Sequence, residues 1–294
     1  MAYETIEQHY VLAFAHTVGL AAQQLVSKFL PAVTSQSGLS GEKQSIKDLY
    51  GSFELEDNTE RFKPMAIKDI GKSRRWFIPH APDGYVGIDD WDRMRINYNP
   101  QTPLIQAALG AIQRSIDNRI VTDYFGTNYT GQDGTTAQAF DSSMIVGKDD
   151  ASTIIDKMEI AKGLFSKNGV DIDYEQIYMA IPSLGERQLK GLGIYTSSDY
   201  QNEKVMTSTK LIPVGGVNLI RYEGLPTTTE DGSTVIQCPI WCKSGMAFGR
   251  WAGVKTRVDE LQEKSYANIV YVGHMIAASR IEEAKCAIIN LEVA

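Results

Sequence analysis

TPLIQAALGAIQRSIDNRIVTDYF, residues Thr102 to Phe125, is the stretch on which the reading of this chain turns. Thr102 can cap the first turn, and Pro103 at the first helical position has its φ preset and gives up a donor that would go unpaired there anyway. Leu104, Ala108, Ala111, Ile112, Ser115, Ile116, Arg119, Ile120 and Phe125 recur at spacings near three and four, the period of an α-helix. A helix of ~22 residues runs for about 33 Å, long for one small domain. Its apolar stripe, with Leu109 and Ile116 assigned to it, is expected to pack on the last strands of the chain. Gln106, Gln113, Asp117 and Asn118 are expected to face solvent or a neighbour. No residue on the helix points to catalysis.

Working outward, the bounds are those of an ordinary folded protein. The chain has 294 residues, 43% hydrophobic and 22% charged, enough for a large core and one or two domains. A net charge of -7 argues against a general nucleic-acid binder, which carries a basic face or tail. Cys238, Cys242 and Cys286 leave an odd thiol after any pairing, so a reducing compartment is the natural reading.

At the start, Gln8 to Ser27 holds no formally charged residue, but His9, His16, Thr17, Gln23, Gln24 and Ser27 make it a poor membrane span. Glu4 and Glu7 stand where a secretory signal is basic. Thr5 and Gln8 can form a capping box, and Tyr10, Phe14, Val18, Ala21, Leu25 and Phe29 form one stripe of an amphipathic helix that Pro31 ends. Such a stripe needs a cover, either the subunit's own core or a partner.

From Ser35 to Tyr98 turns, short apolar runs and blocks of charge alternate. Glu54, Glu56, Asp57 and Glu60 are acidic; Arg61, Lys63, Lys68, Lys72, Arg74 and Arg75 are basic; Asp83, Asp89, Asp90 and Asp92 are acidic again. Each charge alone contributes little stability, but as a set they can fix one copy against another. Arg75 to Pro79 and Tyr85 to Ile88 are expected to be two strands joined by the turn-rich His80 to Gly84, and Arg93 to Tyr98 a third strand with one face covered.

Downstream, Gly126 to Gly147 suits an exposed loop. Asp150 or Ser152 is expected to open a helix with Ile154, Ile155, Met158, Ala161, Leu164 and Phe165 inward, closed by Asn168-Gly169. Ile177 to Ile181 reads as a buried strand, Ser183 as the cap of a short helix through Leu189, and Val205 to Ile240 as a small mixed sheet. Met246 to Trp251, Thr256 to Asp259, Ala267 to Ile281 and Ala284 to Val293 read as long strands.

Motifs with chemistry are scarce. Gly71-Lys72-Ser73 lacks the first glycine of a phosphate loop, since position 66 is Ala66, and strand-like residues follow it. Gly191-Leu192-Gly193 lacks the third glycine of a dinucleotide fingerprint. His9 and His16 lie roughly 10 Å apart along a helix, too far to share a metal. His274 reads as a core residue, and Cys238 and Cys242 as small buried hydrophobes. Asp171 and Asp173 lack the rest of a calcium loop. Asn128-Tyr129-Thr130 is a glycosylation sequon, meaningful only on secretion. No catalytic, cofactor-binding or metal-binding residue is assigned.

The order of parts resembles the major capsid protein of a tailed bacteriophage with the HK97-type fold. HYVLAFAHTVGLAAQQLVSKF, His9 to Phe29, and SRIEEAKCAIINLEV, Ser279 to Val293, carry the likeness most strongly. The resemblance implies an α+β chain divided into an N-terminal arm with an amphipathic helix (1–49), an extended β-hairpin loop (50–98), and a peripheral domain with a spine helix (99–150). An axial domain (151–243) and terminal strands returning to the peripheral domain (244–294) complete it. It implies a non-enzymatic coat protein that self-assembles as hexamers and pentamers into an icosahedral virion shell, made in the bacterial host cytoplasm. Scaffolding, portal and decoration proteins are implied partners, with double-stranded DNA held only non-specifically and no membrane. Subunit contacts are expected from Glu54, Glu56, Asp57, Glu60, Arg61, Lys63, Lys68, Lys72, Arg74, Arg75, Trp76, Asp89 and Asp90, and from Phe14, Val18 and Leu25 on the arm. Some relatives cross-link a lysine to an asparagine; Lys63, Lys68 and Lys72 lie in the right region, but no partner or glutamate is matched. Some relatives begin with a cleaved scaffolding segment, and none is expected in the short stretch before the arm here. An encapsulin-like compartment shell shares the implied fold, and a cytosolic α/β enzyme using carboxylates is the alternative from another class.

Overall fold

The structure, a computed structural model, describes residues 24, 26–51, 53, 55, 69–88, 101–192, 211–261, 263 and 267–293. They fall into two compact bodies. The smaller holds Pro82–Arg114 and Val254–His274 with the described residues before Ser27, and the larger holds Ser27–Ala81, Ser115–Gly253 and Met275–Ala294.

The chain contributes strands β1 (Thr34–Ser37), β2 (Gln44–Tyr50), β3 (Lys72–Phe77) and β4 (Asp83–Ile88) before the long helix α1 (Gln101–Phe125). Then come β5 (Asn128–Thr130), β6 (Thr136–Gln138), β7 (Ile145–Val146), helix α2 (Ile154–Lys167), β8 (Ile177–Ile181) and helix α3 (Ser183–Gly191). Strands β9 (Val217–Arg221), β10 (Thr227–Glu230), β11 (Ser233–Cys242), β12 (Met246–Leu261), β13 (Ala267–Arg280) and β14 (Cys286–Glu292) follow.

The core of the larger body is a mixed six-stranded sheet in the order β7-β14-β11-β8-β9, with β10 also paired to β11. Cys286 through Leu291 are all buried, so β14 is covered on both faces, as a continuous apolar run requires. It pairs antiparallel with β11 from Val235↔Glu292 to Trp241↔Cys286. On α2 the residues Ile154, Met158, Ala161 and Phe165, three and four apart, are turned inward. The helix is opened by Thr153, whose hydroxyl accepts from the Asp156 N–H at 3.1 Å, and not by Asp150 or Ser152. It closes at Asn168 with Gly169 at φ +79°, as expected for a left-handed exit. In α3 the cap position belongs to Pro182; Ser183 is the first helical residue and its N–H is taken by Glu223 Oε1 at 2.8 Å.

The helix α1 corresponds to the expected long rod but starts at Gln101, two residues before the expected first helical residue Pro103, so Thr102 lies within it and is not its cap. Within the larger body Ile116, Ile120, Val121 and Tyr124 are buried, and the Tyr124 hydroxyl lies 2.6 Å from the Ala287 carbonyl and 2.9 Å from that of Ile240. This end of α1 therefore rests on the terminal strands, as the stripe implied, and burial drives the Tyr124 phenol well above its ordinary pKa. Two assignments are corrected. Leu109 is 43% exposed, while Asp117, expected on the outer side, is 0% exposed. The stripe is narrower than the list of apolar residues suggests, and a carboxylate is admitted where donors wait for it.

The expected strands at 75–79 and 85–88 exist in shifted form as β3 and β4, but they do not pair with each other. β3 lies between β2 and β5 in the sheet β2-β3-β5-β6, so both its edges are used. In the smaller body β4 pairs antiparallel with β13, Ile88 to Asp83 against Asn268 to Gly273. The turn between them is held instead by a two-way bridge from His80 to Ile276 in the larger body. In that body β1 runs parallel to the start of β12, Thr34↔Ala247 to Ser37↔Arg250. The expected strand at Arg93 to Tyr98 lies outside the described residues.

His274 is buried on β13, in keeping with a core role. Asn128 of the sequon is 4% exposed, its amide set against the main chain of Arg280, so it is closed to glycosylation. All three cysteines are unpaired and fully buried. Burial pushes the Cys242 thiol up to about 12 and the other two higher still. An Ellman titration of the native protein is therefore expected to register almost no thiol, and all three only after unfolding.

Candidate subunit-contact surface

The sheet β2-β3-β5-β6 carries those expected contact residues that the structure describes, Lys72, Arg74, Arg75 and Trp76, all on β3. Glu54, Glu56, Asp57, Glu60, Arg61, Lys63, Lys68, Asp89, Asp90, Phe14, Val18 and Leu25 lie outside the described residues. Because side chains alternate along a strand, the four divide between two faces.

Arg75 and Phe77 point inward. Phe77 packs with Ala247, Ala277 and Ile281, and Leu39, Ile46, Leu49 and Trp251 lie against that cluster. Arg75 is 7% exposed; its Nε donates to the Ile281 carbonyl at 2.9 Å and its Nη1 to Gln138 Oε1. Its guanidinium is thus committed inside its own subunit, where burial lowers its pKa.

Lys72, Arg74 and Trp76 point the other way and are continued across the ladder by Asp48 and Tyr50 of β2. Arg74 grips Asp48 with two parallel bonds, Nε to Oδ1 at 2.5 Å and Nη2 to Oδ2 at 2.8 Å. This fork holds the Asp48 carboxyl below the usual carboxylate range. The Arg74 guanidinium lies 5.9 Å from the Trp76 ring and the Lys72 ammonium 5.6 Å from that of Tyr50. Trp76 is fixed by its Nε1, which donates to the Gly131 carbonyl at 2.7 Å, and by Gly134 at φ +61°, where a Cβ would come within 2.7 Å of the indole. The result is an outward ladder of alternating charge and aromatic rings beside an open cleft of about 670 Å³ lined by Asp48, Tyr50, Lys72, Arg74 and the Thr130–Gln132 turn.

Where β2 leaves the sheet, apolar side chains stand in solvent: Tyr50 is 68%, Phe53 60% and Leu55 89% exposed. Asp48, Tyr50, Phe53 and Leu55 were not singled out from the sequence. A bulge between Ser45 and Lys47 makes Ile46 an extra residue, so the alternation that marks a strand is broken there. Phe53 and Leu55 do alternate with Glu54, a signal masked by the acidic block around them.

Among the described residues no group of three His, Cys, Asp or Glu side chains is placed to hold a metal. Asp171 and Asp173 form a local turn, the Asp173 N–H donating to Asp171 Oδ1 at 3.2 Å. Among the described residues no helix is long and apolar enough to cross a membrane.

No curated protein matches the chain. The family described as phage capsid protein matches residues 6–293. Among solved structures, the Cyanophage Pam1 capsid asymmetric unit is similar at a TM-score of 0.76 and 11% identity, covering 100% of this chain and 99% of that one. The capsid of Ralstonia phage GP4 is similar at 0.73 and 9%, covering 100% and 98%. The capsid of Cyanophage P-SCSP1u is similar at 0.71 and 13%, covering 97% and 93%. At such identities the structures speak for the fold, HK97-like, and the match from residue 6 to residue 293 speaks for descent: this chain belongs to the phage capsid protein family and is a structural major capsid protein.

Proposed function

We propose that the outward face of the β2–β3 hairpin is where one shell subunit grips the next. The observation that carries this is the run of exposed apolar groups at Tyr50, Phe53 and Leu55, continuous with the ladder of Asp48, Arg74, Lys72 and Trp76. A monomer gains nothing from holding three large apolar side chains in water, whereas a shell of many copies covers them in every contact. On this reading the extended loop begins at Gln44, six residues before the start expected from sequence. Arg75 is withdrawn from the contact set, and Lys72, Arg74 and Trp76 are retained. Copies join as hexamers and pentamers in the host cytoplasm into a shell that encloses packaged double-stranded DNA held only non-specifically, with scaffolding, portal and decoration proteins as further partners.

The test is assembly. The purified chain, alone or with its scaffold, is expected to give closed particles in negative stain. Phe53→Ser with Leu55→Ser is expected to lower particle yield by about an order of magnitude while the melting temperature of the subunit stays unchanged, because exposed side chains contribute little to folding. Normal particles from this double variant would remove the hairpin from the contact.

A further inference from the structure

A second device lies at the entry of the chain into the larger body, and it rests on the reading of the chain as a shell subunit. Asp117 sits in mid-helix on α1, 0% exposed, although its sequence neighbours Arg114 and Asn118 reach solvent or half-burial. Its carboxylate takes three hydrogen bonds from one short segment. Oδ1 accepts from the Ser27 hydroxyl at 2.5 Å and from the Phe29 N–H at 3.3 Å, and Oδ2 accepts from the Lys28 N–H at 3.0 Å. Ser27 Oγ in turn accepts from the Leu30 N–H at 3.2 Å, closing the turn that leads into Leu30–Ala32.

Everything just after this point is sewn into the same body. Phe29 is 1% exposed between Tyr222, edge-on at 5.0 Å, and Trp241, stacked at 5.9 Å. Trp241 Nε1 donates to the Ala32 carbonyl at 2.9 Å, Lys28 Nζ to the Arg221 carbonyl at 2.9 Å, and β1 then pairs with β12. A buried carboxylate is costly unless its lone pairs are used, and here the donors include the Ser27 hydroxyl and the main-chain N–H groups of residues 28 and 29. Simple stability would be served as well by an apolar residue on that face of α1. What an apolar residue cannot do is hold a particular pair of amides.

We propose that Asp117 is a positioning residue for shell assembly, a clasp that fixes the point at which the N-terminal arm leaves the subunit body. Residues before Ser27 must depart from wherever Asp117 holds Ser27 to Phe29. An arm that reaches another copy does so usefully only from a fixed root, and the clasp supplies that root independently of the hairpin contact.

The experiment uses the full-length chain. Asp117→Asn keeps the shape but loses the charge and one acceptor, and Ser27→Ala removes the hydroxyl. Ile116→Val serves as the control, thinning the buried face of the same helix without touching residues 27–29. Asp117→Asn is expected to give about tenfold fewer closed particles and about tenfold faster chymotryptic cleavage before Ser27, with the near-ultraviolet circular dichroism of the body retained. Ser27→Ala moves both readouts the same way by a severalfold amount, and it decides the matter should Asp117→Asn fail to fold. Ile116→Val is expected to assemble and to be cut like the parent. Parent-like assembly and cleavage in both clasp variants overturns the proposal, and so does an Ile116→Val control that matches them, since the effect would then be general stability. Should the parent chain itself form no particles, the shell reading fails, and the cleavage rates alone decide the clasp: unchanged rates overturn it, faster rates uphold it.

Discussion

Arg280→Met is expected to lower the stability of the subunit by about 3–5 kcal/mol, enough to leave much of it unfolded, because it strands a buried carboxylate and the end of a helix together. Arg280 is 0% exposed at the end of β13. Its Nη1 is directed at the carbonyls of Asp123, Tyr124 and Gly126, the last at 2.8 Å, where α1 has run out of N–H partners for its own carbonyls. A cation at that end is also favoured by the helix dipole. Its Nε donates to Glu283 Oε2 at 2.9 Å, and the guanidinium lies 5.0 Å from the Phe140 ring. Methionine fills the volume and satisfies none of these acceptors. Denaturant unfolding of the purified subunit measures the loss. Adding Glu283→Leu to Arg280→Met should recover part of it, since the uncompensated charge is the larger share of the cost. A midpoint unmoved by Arg280→Met would show that the guanidinium does not hold the helix end.

Arg75→Glu is expected to abolish folding, while its neighbour substitution Arg74→Glu leaves the subunit folded and lowers particle yield. At position 75 the new carboxylate would face the Ile281 carbonyl and Gln138 with no cation hydrogen-bonded to it, and the charges of Glu283 and Glu282 act on it against that of Arg280. Leaving a buried charge unpaired costs roughly 3–5 kcal/mol, a large share of a domain's whole stability. At position 74 the reversal sets two carboxylates opposite each other in solvent, where repulsion is screened and folding barely notices. The contact ladder, however, changes sign at that rung. Restoring the pair in reverse, Asp48→Arg with Arg74→Glu, should return fold and ladder together. Soluble yield and circular dichroism separate the two arginines, and particle counts follow the second. A soluble, native-like Arg75→Glu subunit would contradict the inward placement of that side chain.

These two arginines show where sequence reading stops. Adjacent and of one charge, they enter the basic block as equals, and a strand must turn them to opposite faces. Which face meets Phe77, Ala277 and Ile281 depends on β2 and β5 flanking β3, and those partners are 22 to 55 positions away along the chain. The expected pairing of β3 with β4 failed for the same reason. A turn-rich link of a few residues favours a hairpin locally, but β3 had better partners on both edges, and β4 found β13. The bulge at Ile46 hid β2 altogether.

The sequence by itself determined the long helix to within two residues of its start, the α2 helix with its Gly169 exit, the buried run at Ile177–Ile181, the last strand, and the burial of Cys238 and Cys242. Each is a local signal, a period or a stop, that the backbone must obey wherever the segment is placed. The resemblance carried by residues 9–29 and 279–293 points to the family without recourse to geometry. Only the tertiary structure decided that Asp117 lies inside, that Arg75 is a core donor while Arg74 is not, and that Tyr50, Phe53 and Leu55 stand in water. Those outcomes are set by which distant groups arrive opposite a side chain, and a buried carboxylate or guanidinium is permitted only where its partners do arrive.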